Sequence, residues 1–210
     1  MTGWKRLSYS PLLRELRESF TPRGNAPEDA AEFFRMWQKP KTLIHSRAVA
    51  IKAEDLARKF GVDPVKAGDG GWLHDVSIVW SNPQRLPAAQ ALGIEVLPEE
   101  ESVPMILHQK LSVLLAREVF GVRDTEILSA IGCHTTLKSG ASTGDKVVFL
   151  ADKIAWDLDG TPPYLDALSW ALDTSLDAAC RVYLEWMLAS PRLQVRHPWA
   201  VAALEELQQR

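Results

Sequence analysis

The sequence predicts an all-α fold, on three observations. Apolar residues recur at spacings of three and four along most of the chain. No run alternates apolar and polar residues over the length of a half-buried strand. Helix punctuation recurs between the apolar segments, with Asp or Ser before proline at the starts and glycine at the ends. The first pattern is the signature of one buried helical face, and the third marks where such helices begin and stop. The pairs Asp69-Gly70 and Asp159-Gly160 lack flanking strand-like runs, so neither reads as a hairpin turn.

Residues 1–40 read as a helical extension. Leu12, Leu13, Leu16 and Phe20 keep helical spacing after Ser10-Pro11, and Pro27-Glu28-Asp29 opens a second helix whose apolar side is Phe33, Phe34, Met36 and Trp37. Residues 41–160 read as the main domain. Its first helix spans about 41–60, with Ile44, Ala48, Ile51, Val49, Leu56 and Phe60 expected inside and His45 in register with Val49 and Leu56. Gly61 ends it, and Asp63-Pro64 caps the next helix, which runs to His74-Asp75. Gly68, Gly70 and Gly71 weaken that helix, and close approach of the helix bearing His45 would explain them. A short helix follows Pro83, and Pro98-Glu99-Glu100-Glu101-Ser102 reads as a solvated acidic turn. The next helix places His108, Leu111, Leu115 and Val119 on one face; Asp124 caps another bearing Ile127, Ala130, Ile131 and His134. A further helix follows Ser142 and carries Asp145, Val148 and Asp152 on one side. Residues 161–210 supply three C-terminal helices packed on the core.

Composition narrows the function. A net charge of −3 gives no general attraction to nucleic acid or anionic lipid, and no apolar window is long enough to span a membrane. No secretory leader is expected from the first residues. The two cysteines, Cys133 and Cys180, have no framework spacing, so a reduced, cytoplasmic setting is expected. A homodimer is compatible with the extension but not required by it.

The chemistry lies in the histidines. Of five, His45, His74, His108 and His134 fall at or beside apolar helical segments, with Asp75 after His74 and Asp152 on the following segment. One histidine on an apolar stripe is ordinarily a satisfied core residue. Four with two aspartates are hard to bury except around metal. Imidazole and carboxylate without thiolate suit iron, manganese, zinc, cobalt or nickel. Cys133 points away from His134 by helical geometry, and His197, in Arg196-His197-Pro198, reads as a surface residue. The six donors exceed one tetrahedral site and fit two ions. His45, His74, Asp75 and Asp152 would hold the first, while Asp75 bridges to a second on His108 and His134. The residual positive charge suits a phosphate substrate.

The order H…HD…H…H…D resembles the HD superfamily of metal-dependent phosphohydrolases, and more narrowly its YqeK-type branch. The resemblance runs from His45 to Ile154, through Leu73-His74-Asp75 and Leu107-His108, and is most specific in Cys133-His134-Thr135-Thr136 and Lys146-Val147-Val148-Phe149-Leu150-Ala151-Asp152. It implies an HD-domain helical bundle, a dinuclear centre with iron foremost, and symmetrical cleavage of diadenosine tetraphosphate into two ADP. It implies that Asp75 and Lys146 are catalytic, that the six residues above are the ligands, and that Lys146, Thr135 and Lys138 contact the nucleotide. Two departures fall on the phosphate side. The family lysine after the HD pair has no counterpart in Val76-Ser77-Ile78-Val79-Trp80. The family arginine after the last aspartate is missing from Trp156-Asp157-Leu158-Asp159. Two alternatives therefore stay open: an HD-type phosphodiesterase or nucleotidase with another substrate, and a nucleotide-binding HD protein without turnover.

Overall fold

The structure is a computed structural model and describes residues 10–156 and 160–209; Asp157 and Asp159, and the first nine residues of the extension, lie outside the described residues. Among these residues there are α-helices and short 3₁₀ turns and no strands. In order, α1 is Pro11–Ser19, α2 Ala26–Met36, α3 Pro40–Phe60 and α4 Pro64–Leu73. A 3₁₀ turn, Val76–Val79, leads to α5 (Asn82–Ala91) and α6 (Pro98–Ser102). A second 3₁₀ turn, Pro104–Leu107, runs into α7 (His108–Glu118), followed by α8 (Thr125–Cys133) and α9 (Thr143–Ile154). The C-terminal helices are α10 (Leu165–Thr174), α11 (Leu176–Ala189) and α12 (Pro198–Gln208).

Local chemistry sets the boundaries that matter for function. Asp63 accepts hydrogen bonds from the Val65 and Lys66 amides, and Asp124 from those of Glu126 and Ile127, so α4 and α8 start at fixed points. Ser142 and Asp145 form a reciprocal capping box at the start of α9. At the other ends the histidines take the terminal positions: His74 closes α4 and His134 closes α8, while His108 begins α7 where the 3₁₀ turn becomes α-helix.

Helices α3 and α4 lie against each other as the glycines anticipate. A Cβ built on Gly71 would stand 2.6 Å from Ala50 Cα, and one on Gly68 2.9 Å from the Glu54 carboxylate. The inward face of α3 is correspondingly small, with Ser46, Val49, Ala50, Ala53, Leu56 and Ala57 buried. The expectation that Ile44, Ala48 and Ile51 are inside is corrected: all three are exposed, Ile44 to 69% and Ile51 to 53%. A close helix crossing selects the alanine face, and the larger isoleucines turn outward.

Two apolar clusters form the interior. One joins Val49 and Leu56 of α3 with Val147–Ala151 of α9 and the C-terminal residues Leu168, Leu184 and Leu207. The other joins Leu13, Leu16, Phe33 and Phe34 of the extension with Leu73, Leu107, Leu111 and Ile131. The sequence neighbours of the predicted ligands divide between them. Leu73 and Leu107 precede His74 and His108 in the second cluster, whereas Cys133 and Ala151 precede His134 and Asp152 in the first. The polar site is therefore pinned along the seam of the two cores.

Candidate metal centre

All six predicted ligands converge. His45 Nε2 lies 3.1 Å from Asp152 Oδ1 and 3.3 Å from His74 Nε2. His74 Nε2 is 3.6 Å from an oxygen of each of Asp75 and Asp152. Asp75 Oδ1 stands 3.4 Å from His108 Nε2 and 3.9 Å from His134 Nε2, and the latter two nitrogens are 2.8 Å apart. Two overlapping groups, His45-His74-Asp152 and His74-Asp75-His134, each bring their donor atoms within 4.8 Å of one another.

The hydrogen bonds fix the chemistry of the rings. Nδ1 of His74 donates to the Gly71 carbonyl at 2.7 Å, Nδ1 of His108 to Met105 at 2.6 Å and Nδ1 of His134 to Ile131 at 2.8 Å. A carbonyl can only accept, so these three rings carry their proton on Nδ1. In the neutral imidazole, Nε2 then presents a lone pair to the cluster. Burial holds the pKa of His134 well below the usual range, and the neighbouring His108 and His74 add to that; burial also lowers His108. Neutral rings whose lone pairs face one another at 2.8 Å repel unless a cation stands between them. That is the arrangement a divalent metal requires, so the donor set fits one.

The carboxylates are held ionised. Burial pushes the Asp75 carboxyl up, but its electrostatic interaction with the surrounding His74, His108 and His134 outweighs burial and brings it down to about 2. Burial likewise opposes ionisation of Asp152, yet Lys153 and the hydrogen bond to His45 hold it well below the carboxylate range. Lys153 Nζ lies 2.6 Å from Asp152 Oδ2. Thr135 donates to His108 Nε2 at 3.1 Å, and buried Gln109 holds the Thr135 amide and Thr136 hydroxyl.

The cluster opens on a cavity of about 690 Å³. It is lined by His108, Thr135, Asp152 and Lys153 and by Tyr183, Met187, Arg192, Gln194 and His197 of the C-terminal segment, with Lys153 Nζ 5.5 Å from the centre of the Tyr183 ring. This C-terminal part of the lining was not apparent from sequence, because no motif links residues 183–197 to the histidines. Lys153 was missed too, although its position directly after Asp152 was a signal.

Two expected nucleotide contacts lie elsewhere. Lys146 is buried against Asp177, with Nζ 2.5 Å from its carboxylate, and does not line the cavity. Lys138 donates to Ser129 at 2.6 Å and pairs with Asp145 at 3.4 Å, at a different surface. In both, an acid brought close by the fold captures the lysine. His197 is not a surface residue: it is 3% exposed, and Nε2 lies 3.5 Å from Glu100. Glu100 in turn is fully buried, not solvated, and accepts from Lys110 Nζ at 2.7 Å and from the Leu97 amide. Cys133 donates to the Ser129 carbonyl and stays outside the donor set, with burial pushing its thiol pKa up.

The HD domain family profile matches residues 42–157, the stretch that carries all six donors. An uncharacterized protein in the pepC 5' region of Lactococcus lactis subsp. cremoris is 45% identical over 138 residues, covering 66% of this chain and 70% of that protein. The symmetrical bis(5'-nucleosyl)-tetraphosphatase of Bacillus subtilis is 28% identical over 138 residues, covering 65% of this chain and 72% of that one. A crystal structure from Clostridium acetobutylicum, described as a predicted HD superfamily hydrolase involved in NAD metabolism, superposes with a TM-score of 0.79. It is 23% identical and covers 87% of this chain and 96% of its own, a likeness in fold. The profile match, over more than half of its length, places this chain in the HD domain family.

Proposed function

We propose that this HD-domain hydrolase holds two divalent ions, with iron foremost, on His45, His74, Asp75, His108, His134 and Asp152, and cleaves a nucleotide phosphoanhydride. Symmetrical cleavage of diadenosine tetraphosphate to two ADP is the leading reaction. The observation that carries the reading is the set of neutral imidazoles aimed at one another between two ionised aspartates, at the end of a cavity of nucleotide size. The relative in Bacillus subtilis bears the name of that activity.

Bound there, divalent ions supply an activated water and polarise a phosphoryl oxygen. The chain's own residues do the rest. Asp75, between the two histidine groups, is placed to bridge them. The Nδ1 bonds to Gly71, Met105 and Ile131 hold the rings in their ligating tautomer. Thr135 lines the cavity, its hydroxyl 3.1 Å from His108, where it can meet a phosphate oxygen. Lys153 neutralises Asp152, so the site does not repel an anionic substrate. The C-terminal part of the lining offers the cation of Arg192 and the amide of Gln194 to the remainder of the nucleotide.

The test is product analysis with metal-loaded protein. Diadenosine tetraphosphate should give ADP alone, and Asp75→Ala should give no product. ATP with AMP would mean asymmetric cleavage, and turnover of only other nucleotides in a panel would move the substrate assignment. Nucleotide binding without any product would favour a binding protein, the alternative left open by the absent phosphate-side lysine and arginine.

A further inference from the structure

Arg85, on α5, is buried to within 7% of its surface, yet its guanidinium is barely used. Among the described residues it donates one long hydrogen bond, Nη1 to the Met105 carbonyl at 3.4 Å, and its buried Nε has no acceptor. An arginine carries five donors in a planar fork, and burying them without acceptors is costly. A group kept so exposed to that cost is expected to have a partner that the protein alone does not supply.

Its location indicates which partner. The carbonyl it touches, that of Met105, is the one that accepts from His108 Nδ1. Asp75 lies close enough for its charge to act on Arg85, and the charge of Arg85 acts in turn on His108. Met105 and Asn82, three residues before Arg85 on the same face of α5, both line the cavity. With metal on Asp75, that carboxylate's charge is spent, and the guanidinium remains an uncompensated cation beside the centre. The run Val76–Trp80, directly after the HD pair, offers no cation of its own.

We propose that Arg85 is an anion-binding residue of this site, taking a phosphate oxygen of the substrate at the edge of the metal centre. The reading rests on the phosphohydrolase function above. Arg85 reaches the site from α5, ten residues beyond Asp75, so the cation comes from a different element than the turn that carries the aspartate. A guanidinium makes paired hydrogen bonds to phosphate that a lysine cannot reproduce.

The test uses inorganic phosphate on the metal-loaded full chain, with binding read by calorimetry and by the rise in Tm, beside Arg85→Met and Arg85→Lys. The expected result is phosphate affinity lowered about 10- to 100-fold in R85M, with R85K intermediate, the range for losing a hydrogen bond to a charged group. Metal per chain should be unchanged in both. Equal phosphate affinity in wild type and R85M, or no phosphate binding by the wild type, would overturn the proposal. Should R85M fail to fold, R85K decides: an affinity equal to wild type would show that the fork is not used. Since phosphate carries no nucleoside, Arg85-dependent binding can persist even where diadenosine tetraphosphate is not cleaved. Failure of the substrate reading is thereby separable from failure of this one.

Discussion

Two buried clusters of histidine and acid occupy this protein, and they differ in how their charges close. In the first, the Nε2 lone pairs of His74, His108 and His134 point inward between Asp75 and Asp152, and His45 Nε2 lies against Asp152. In the second, Glu100 is met by Lys110 at 2.7 Å and by His197 at 3.5 Å, and His197 Nδ1 accepts from the Trp199 amide to cap α12. The second cluster is complete as a set of donors and acceptors and joins the short α6 to the C-terminal helix. The first is complete only with a cation added. Residue type does not separate the two; hydrogen-bond direction does. A third acid group marks the opposite limit. Asp69, half-buried near Asp63 and Glu54, has neither cation nor ligating histidine among the described residues, and burial followed by those like charges pushes its pKa up to about 6.

The largest effect should come from the first cluster. Asp75→Ala removes the carboxylate that lies between the two histidine groups, and hydrolysis should fall by about 10³-fold or more together with loss of bound metal. Retained metal and turnover would make Asp75 dispensable and dissolve the contrast. Next is Lys110→Met. It strands Glu100 in the interior and should cost about 3–5 kcal/mol in a denaturant melt, while metal content stays at the wild-type level. Because burial would raise the Glu100 pKa but its bonds to His197 and Lys110 bring it below the usual value, this stabilisation is present at neutral pH. It should be lost as pH falls through the carboxylate range, and Glu100→Gln should flatten that acid limb.

Gly71→Ala tests whether helix spacing sets the metal site. The added methyl meets the α3 backbone at 2.6 Å, so about 1–3 kcal/mol of stability should go, with weaker metal binding and an intact Glu100 latch. The smallest change is Asp69→Asn. The native state favours the protonated acid, so this residue's contribution to stability declines as pH rises from near 4 through 6. The variant should gain about 1 kcal/mol at pH 7, after discount for partial solvent exposure, and nothing at pH 3. A melt series across that range would register it.

The same contrast explains what could be read from the sequence. The six donors were legible because each sits at a helix end or inward stripe next to apolar residues that fix its direction, as Leu73 does for His74 and Ala151 for Asp152. Gly68 and Gly71 of α4 were legible for the same reason, since their crowding is local to two consecutive helices, whereas Gly70 faces Val148 of α9 and Ala130 of α8 and not the helix bearing His45. The Glu100–His197 pair was not, because 97 residues separate the partners and both stand in polar, proline-flanked runs that look solvated. Lys146 sat in the most specific part of the family pattern, but its partner Asp177 lies on α11, where no pattern announces it. The face of α3 was misjudged because larger apolar residues were expected inside, whereas the crossing with α4 admits only small ones.

The most direct test counts metal atoms per chain in protein prepared anaerobically and loaded with divalent metal. The donor geometry predicts about two ions per wild-type chain, a count preserved in Lys110→Met and lost in Asp75→Ala. A wild-type chain that binds none, or an Asp75→Ala chain that binds as many as wild type, would contradict the reading of these six residues as a dinuclear centre.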